Sequence, residues 1–199
     1  MQAKDYRLVS ADTAVQLEQV EALYMLAFPP AERKPFSMIL RTRTKGRAEI
    51  LTIESADGAF AGEAITVQCG SLVLVDYLAV SEAMRGQGVG SAALRLLRER
   101  YAGKTVFLEI ESTKETDVPN REQREKRKAF YLRNGLSCMP FRAVEFGVEM
   151  EVLTFSGEVT FDDLHGLYQS VFGRAVAANI RRYGDKRFSL LAQFAKRRK

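Results

Sequence analysis

One stretch limits the possible folds more than any other. The run Val73-Leu74-Val75-Asp76-Tyr77-Leu78-Ala79-Val80 has strand composition, with a single charge at Asp76. Ser81-Glu82-Ala83-Met84 follows, then Arg85-Gly86-Gln87-Gly88-Val89-Gly90-Ser91, and helical spacing predicts a helix over 89–101. A strand, a glycine loop and a helix in that order build an anion site. Glycines let successive amides converge without β-carbon interference, and the first-turn amides of a helix have no internal acceptor.

Two readings of this loop are open on pattern alone. Gly88-Val89-Gly90-Ser91-Ala92-Ala93 satisfies the dinucleotide pattern G-x-G-x-x-A, with Glu109 or Glu111 about 20 residues further on. Against it, five residues separate Val80 from Gly86, where a dinucleotide turn follows its strand directly. The preceding chain also reads differently. A strand is expected over 6–9, a helix over 13–28 ended by Pro29-Pro30, and a shorter helix from Pro35 to about Thr44. Three β-type runs follow at 48–54, 59–68 and 71–80, joined by turn-like Ala56-Asp57-Gly58 and Cys69-Gly70, which predicts an antiparallel meander. After the glycine loop come a strand over 105–111, a helix from about Asn120 to Asn134 stopped by Gly135, strands near 136–144 and 148–155, and a helix over 161–172.

The bulk numbers exclude some classes of function. Hydrophobic residues make up 46% and charged residues 28%, as in ordinary soluble domains. No apolar run approaches the roughly 18 residues that would span a bilayer, and the first residues lack a signal-peptide core, so a cytoplasmic address is expected. Cys69 and Cys138 form no CxxC pair and are read as buried free thiols. The single histidine, His165, removes multi-histidine metal sites and is read as a solvated or capping residue, so no metal is expected. The net charge is +5, yet residues 181–199 carry +7 of it, leaving a slightly acidic body. The chain therefore divides into a domain over 1–180 and a basic tail over 181–199. In the tail, Phe188, Leu191 and Ala195 fall at helical spacing. Nucleic acid is a candidate partner only through that tail.

Arg85, Gly88 and Gly90 meet the pattern [Q/R]-x-x-G-x-[G/A], and in this the segment resembles motif A of the GNAT superfamily of acyl-CoA-dependent N-acyltransferases. Ala129-Phe130-Tyr131-Leu132-Arg133-Asn134-Gly135-Leu136 resembles the superfamily's motif B, an aromatic-Tyr pair ending a helix just before Gly and a strand. Order and spacing agree over residues 73–136, and the upstream elements extend the likeness to roughly 5–155. The resemblance implies an α+β, three-layer fold: a mixed, mostly antiparallel sheet with helices on both faces and one splayed strand pair.

It also implies a site. Main-chain groups of Leu78, Ala79 and Val80 would hold a pantetheine arm, and the amides of Arg85, Gly86, Gln87, Gly88, Val89, Gly90 and Ser91 a pyrophosphate. The thioester of acetyl-CoA would lie between the runs 71–80 and 105–111, with Tyr131 as the acid that protonates the departing thiolate. An amine acceptor with a pKa near 10 must lose a proton before attack, so a carboxylate is needed nearby. Glu109, Glu111 and Asp76 are the candidates, in that order. Alternation puts Asp76 on one face with Leu78 and Val80, and Glu109 and Glu111 on one face with Phe107. Glu32, between the first two helices where the superfamily forms part of its acceptor pocket, is a candidate for holding a cationic amine. Many members carry Asn seven residues before the motif B tyrosine, where this chain has Arg124. Arg124, Arg127 and Tyr131 share a helical face, so the arginines would reach a phosphate or an acidic substrate, or pair with Glu109 and Glu111. The expected function is transfer of an acetyl or other acyl group to the primary amine of a small molecule or peptide. The alternatives are a non-catalytic acyl-CoA sensor and an RNA- or ribosome-associated protein acting through the tail. A homodimer is left open.

Overall fold

The computed structural model describes residues 5–30 and 32–185. Eight strands form one sheet in the order β1-β2-β3-β4-β5-β7-β6-β8. They are β1 (Tyr6–Ser10), β2 (Ala48–Ser55), β3 (Phe60–Cys69), β4 (Leu72–Val80), β5 (Thr105–Glu111), β6 (Ser137–Glu145), β7 (Val148–Thr154) and β8 (Ile180–Arg182). All neighbours are antiparallel except β4 and β5, so no dinucleotide-type parallel sheet forms around the glycine loop.

The helices are α1 (Ala14–Ala27), α2 (Phe36–Thr44), α3 (Val89–Arg100), α4 (Arg121–Arg133), α5 (Phe161–Phe172) and the single turn α6 (Arg174–Ala177). Their termini follow local chemistry. Thr13 and Gln16 form a capping box at the start of α1, and Thr160 and Asp163 do the same for α5.

Strand pleating divides the helices between two faces. Ile50 and Ile65 pack with Val20, Tyr24 and Ile39 of α1 and α2. Their neighbours Leu51 and Ala64 point the other way, to Leu94 and Leu97 of α3, a cluster that also receives Phe130 and Tyr131 from α4. Leu74, Phe107 and Val152 meet Leu164, Leu167 and Tyr168 of α5, which extends the α1–α2 side. The result is the three-layer arrangement expected.

Two irregularities shape the middle of the sheet. Ile65 pairs with Tyr77 but Thr66 pairs with Val75, so Asp76 is the extra residue of a β-bulge in β4. The bulge resets the alternation and corrects the expectation that Asp76 shares a face with Leu78 and Val80. Leu78 and Val80 pack beside Val89 and Ala93 of α3, whereas Asp76 binds Lys34 on the α5 side. The second irregularity is a gap. β4 and β5 pair only from Leu72↔Thr105 to Val75↔Leu108, and β4 continues to Val80 and β5 to Glu111 without further pairing.

Gly62 keeps β3 close to the free end of β4. A Cβ there would stand 2.4 Å from the Ala79 carbonyl oxygen, a backbone atom that cannot turn aside. Gly62→Ala is therefore expected to cost about 1–3 kcal/mol, read as a lower urea midpoint with unchanged slope.

Several expectations change at the edges. Cys138 is exposed and Cys69 half-buried, so neither is the core thiol anticipated. β6 breaks its pairing with β7 between Cys138 and Arg142, and this irregular stretch leaves the thiol at the surface. Arg181 and Arg182 belong to β8, which pairs with β6 from Glu145↔Ile180 to Ala143↔Arg182, instead of starting a helix. Phe188, Leu191 and Ala195 of the expected tail helix lie outside the described residues. Among the described residues no helix is long and apolar enough to cross a membrane.

Candidate active site

The glycine loop opens a cleft of about 430 Å³ on the α3–α4 face, beside the free end of β4. Leu78, Val80, Arg85, Gly86, Gly88, Val89, Gly90, Ser91 and Tyr131 all line it. Met84, Phe130 and Arg133 complete the wall. The size falls within the range of small-molecule clefts. Ala79 and Gln87 do not line it. The Ala79 side chain is buried, and the Gln87 amide donates to the Ala83 carbonyl at 2.9 Å.

The loop geometry frees a set of donors. Gly86 and Gly88 take φ of +73° and +84°, a left-handed conformation that other residues adopt only with strain. Gly88 caps α3, and the first hydrogen bond of that helix runs from Ala92 N to Gly88 O at 3.0 Å. The amides of Gly88, Val89, Gly90 and Ser91 therefore precede the first helical acceptor, at the positive end of the helix dipole. Gly90 has a separate reason to lack a side chain. Its Cβ would sit 3.0 Å from the Phe130 ring, so glycine there lets α4 close against α3.

Tyr131 reaches the cleft from the last turn of α4. Its ring meets Phe130 edge-on at 5.2 Å, and no hydrogen bond engages its hydroxyl among the described residues. Burial raises the phenol above its ordinary value, and the Arg127 guanidinium only partly opposes this. Tyr131 therefore keeps its proton at neutral pH and can donate it.

The three carboxylates occupy different surroundings. Glu111 is saturated: Arg124 holds Oε1 at 2.7 Å, Arg127 approaches Oε2 at 3.4 Å, and the Asn120 amide reaches both oxygens. Arg124 is spent in the same network, binding Glu115, Asn120 and the Ser112 carbonyl as well. This settles the choice for its guanidinium in favour of ion pairing, with Glu111 and Glu115 rather than Glu109. Asp76 binds the Lys34 ammonium through both oxygens, at 2.7 and 3.0 Å. Glu109 takes up the first position past the last β4–β5 pair. Its Oε2 accepts from the Tyr168 hydroxyl at 2.7 Å, while Oε1 is buried without a partner. Burial first, then the neighbouring Glu145, lifts the Glu109 carboxyl well above the usual range.

Glu32 lies in the loop between α1 and α2. The Tyr77 hydroxyl donates to its carbonyl at 3.0 Å and accepts from the Lys34 amide at 3.1 Å, which pins the loop between α1 and α2. Partial desolvation raises the Glu32 carboxyl, Glu111 adds to that, and Arg127 and Arg124 oppose it, so Glu32 lies near the Glu111–arginine network. Lys34, Glu145 and Tyr168 were not anticipated. Only the β5-β7-β6 order and the docking of α5 bring them to Glu109.

Solved structures share this architecture. A protein from Bacteroides thetaiotaomicron assigned to the GNAT family of acetyltransferases superposes with a TM-score of 0.67 at 20% identity, covering 85% of this chain and 99% of its own. Spermidine N-acetyltransferase from Vibrio cholerae, solved with CoA and spermine, gives 0.58 at 9% identity over 75% of this chain and 94% of its own. The ribosomal-protein-S18-alanine N-acetyltransferase from Escherichia coli gives 0.57 at 16% identity over 78% and 96%. No protein-family model and no curated protein matches the sequence. The chain has the GNAT acetyltransferase fold.

Proposed function

We propose that the chain transfers an acyl group, acetyl in the first instance, from acyl-CoA to a primary amine. The observation that carries this reading is one juxtaposition: the amides of Gly88–Ser91, which have no acceptor among the described residues, share a cleft with a protonated tyrosine, Tyr131, beside the point where β4 and β5 part. The residues fit the cofactor. A diphosphate would accept from the loop amides, the main chain of Leu78 to Val80, which β5 does not pair, would align the pantetheine arm, and the gap would admit the thioester. Acyl-CoA supplies an activated acyl carbon and a thiolate leaving group.

The chain's own groups then manage two protons. Glu109 receives one from the acceptor ammonium, because it stands at the strand gap and burial raises its affinity for protons above that of an ordinary carboxylate. Tyr131 donates the other to the departing sulfur. Glu111 and Asp76, both engaged by cations, hold the architecture, and Glu32, near the Glu111–arginine network, is the residue this reading gives to holding a cationic acceptor. The acceptor follows from none of these contacts. Spermidine and a ribosomal protein are acceptors named for neighbours with under 20% identity.

Thermal stabilisation by CoA, paired with thiol release from acetyl-CoA over an amine panel, tests the reading. A Tm that rises with CoA concentration, by mass action, together with amine-dependent thiol release, is expected. Stabilisation without turnover on any amine would instead favour a non-catalytic acyl-CoA sensor.

A further inference from the structure

Four ionisable side chains from four elements meet on the α5 side of the strand gap. Glu109 comes from β5, Glu145 from the end of β6, Tyr168 from α5 and Lys34 from the loop before α2. The Tyr168 hydroxyl oxygen lies 2.7 Å from Glu109 Oε2 and 3.2 Å from Glu145 Oε2. Among the described residues the remaining oxygen of each carboxyl, Oε1, is buried with no donor, and the two carboxyls are close enough to share a proton. Lys34 Nζ stands 5.7 Å from the Tyr168 ring centroid and 4.8 Å from that of Phe172, fixed by its ion pair with Asp76.

A count of hydrogens constrains this group. A phenol carries one hydrogen, so Tyr168 can donate to only one of the two carboxyls. The second contact is a hydrogen bond only if the other carboxyl carries a proton and donates it to the phenol oxygen. Two ionised carboxylates around one oxygen, both shielded from water, would repel each other with a single hydrogen to share. Lys34 supplies the compensating charge from one side, and Asp76 lies behind it.

We propose that Glu109 and Glu145 act as one proton-accepting unit, holding a single proton across Tyr168, and that Lys34, fixed by Asp76, is the positioning residue whose charge governs when the unit gives that proton up. The catalytic half of this rests on the acyl-transfer reading. In the working step, the acceptor's N–C bond forms as the C–S bond breaks. The acceptor ammonium first gives one proton to the ionised carboxylate of the pair. Tyr131 protonates the sulfur as the C–S bond breaks, the second proton leaving nitrogen restores the Tyr131 phenol through solvent, and the pair returns one proton to solvent.

Two measurements on the full-length chain test it. The first is infrared difference spectroscopy of the protein alone at neutral pH. Glu63, a separate buried carboxyl in β3, would give a band of its own, so the spectra are taken in a Glu63→Gln background. There a protonated-carboxyl C=O band should be present and should be lost on adding either Glu109→Gln or Glu145→Gln, because the shared proton needs both partners. No such band, or a band that survives either substitution, overturns the shared proton whether or not the protein is an acyltransferase. The second is the pH profile of kcat/KM. Lys34→Met with Asp76→Asn removes the ion pair as a unit and avoids stranding a buried charge. Its acid limb should move up by about one pH unit, and Lys34→Arg should keep the wild-type midpoint. An unmoved acid limb in the double variant overturns the role of Lys34. The shared band without turnover on any amine would overturn the acyl-transfer reading, and with it the catalytic use of the pair.

Discussion

Tyr131→Phe is expected to lower kcat by about 10²–10⁴, the usual contribution of a positioned general acid, with CoA affinity nearly unchanged. The substitution removes one oxygen and its proton from the cleft and leaves the ring packed on Phe130. The hydroxyl has no structural partner to lose among the described residues, so the fold has no reason to suffer. Burial holds the phenol protonated across the neutral range, so loss of that proton should produce the alkaline limb of the wild-type rate, separate from the acid limb set by Glu109 and Glu145. Steady-state kinetics of the two proteins over pH check this. Full turnover in the variant, with the same alkaline limb, would remove Tyr131 from the chemistry.

The second large effect is on stability and concerns Glu63. This residue lies in β3 with no exposed surface, and neither carboxyl oxygen finds a partner among the described residues. Burial alone pushes its carboxyl up to about 8. A raised folded-state pKa means that the native chain binds a proton the unfolded chain has released. Stability is therefore greatest below the unfolded value near 4.5 and declines as pH rises toward 8. The loss across that window is roughly 3–5 kcal/mol at its ceiling. Glu63→Gln keeps the shape and abolishes the titration. The variant should gain on the wild type steadily between pH 4.5 and 8, seen as diverging Tm curves. Parallel curves would show that Glu63 is not the buried acid described.

Sequence pattern revealed the cofactor half of the candidate site more fully than the acceptor half. The glycine loop and the motif around Phe130 and Tyr131 are each contiguous, and local rules fix where a strand ends, a helix begins and a glycine adopts positive φ. Glu109, Lys34, Glu145 and Tyr168 are scattered over 135 positions of the chain and meet only through strand order. One signal was available: Asp76, Glu109 and Glu63 are each a charge inside a mostly apolar strand, flanked on both sides by apolar residues or glycine, and burying a charge requires a partner or a proton. Glu63 went unremarked, although it stands in the run 59–68 as plainly as Asp76 does in its own. The Asp76 bulge was hidden because alternation assumes an unbroken pleat, and only the register against β3 shows the inserted residue. β8 escaped notice because Ile180–Arg182 is too short to show a period.

The direct measurement is an amide proton–nitrogen NMR titration of the full chain with CoA. Saturable binding should move the Gly88, Val89, Gly90 and Ser91 amides furthest, because they gain acceptors where the fold leaves them none. Absence of binding, or shifts centred away from residues 86–91, would mean that these amides hold no diphosphate.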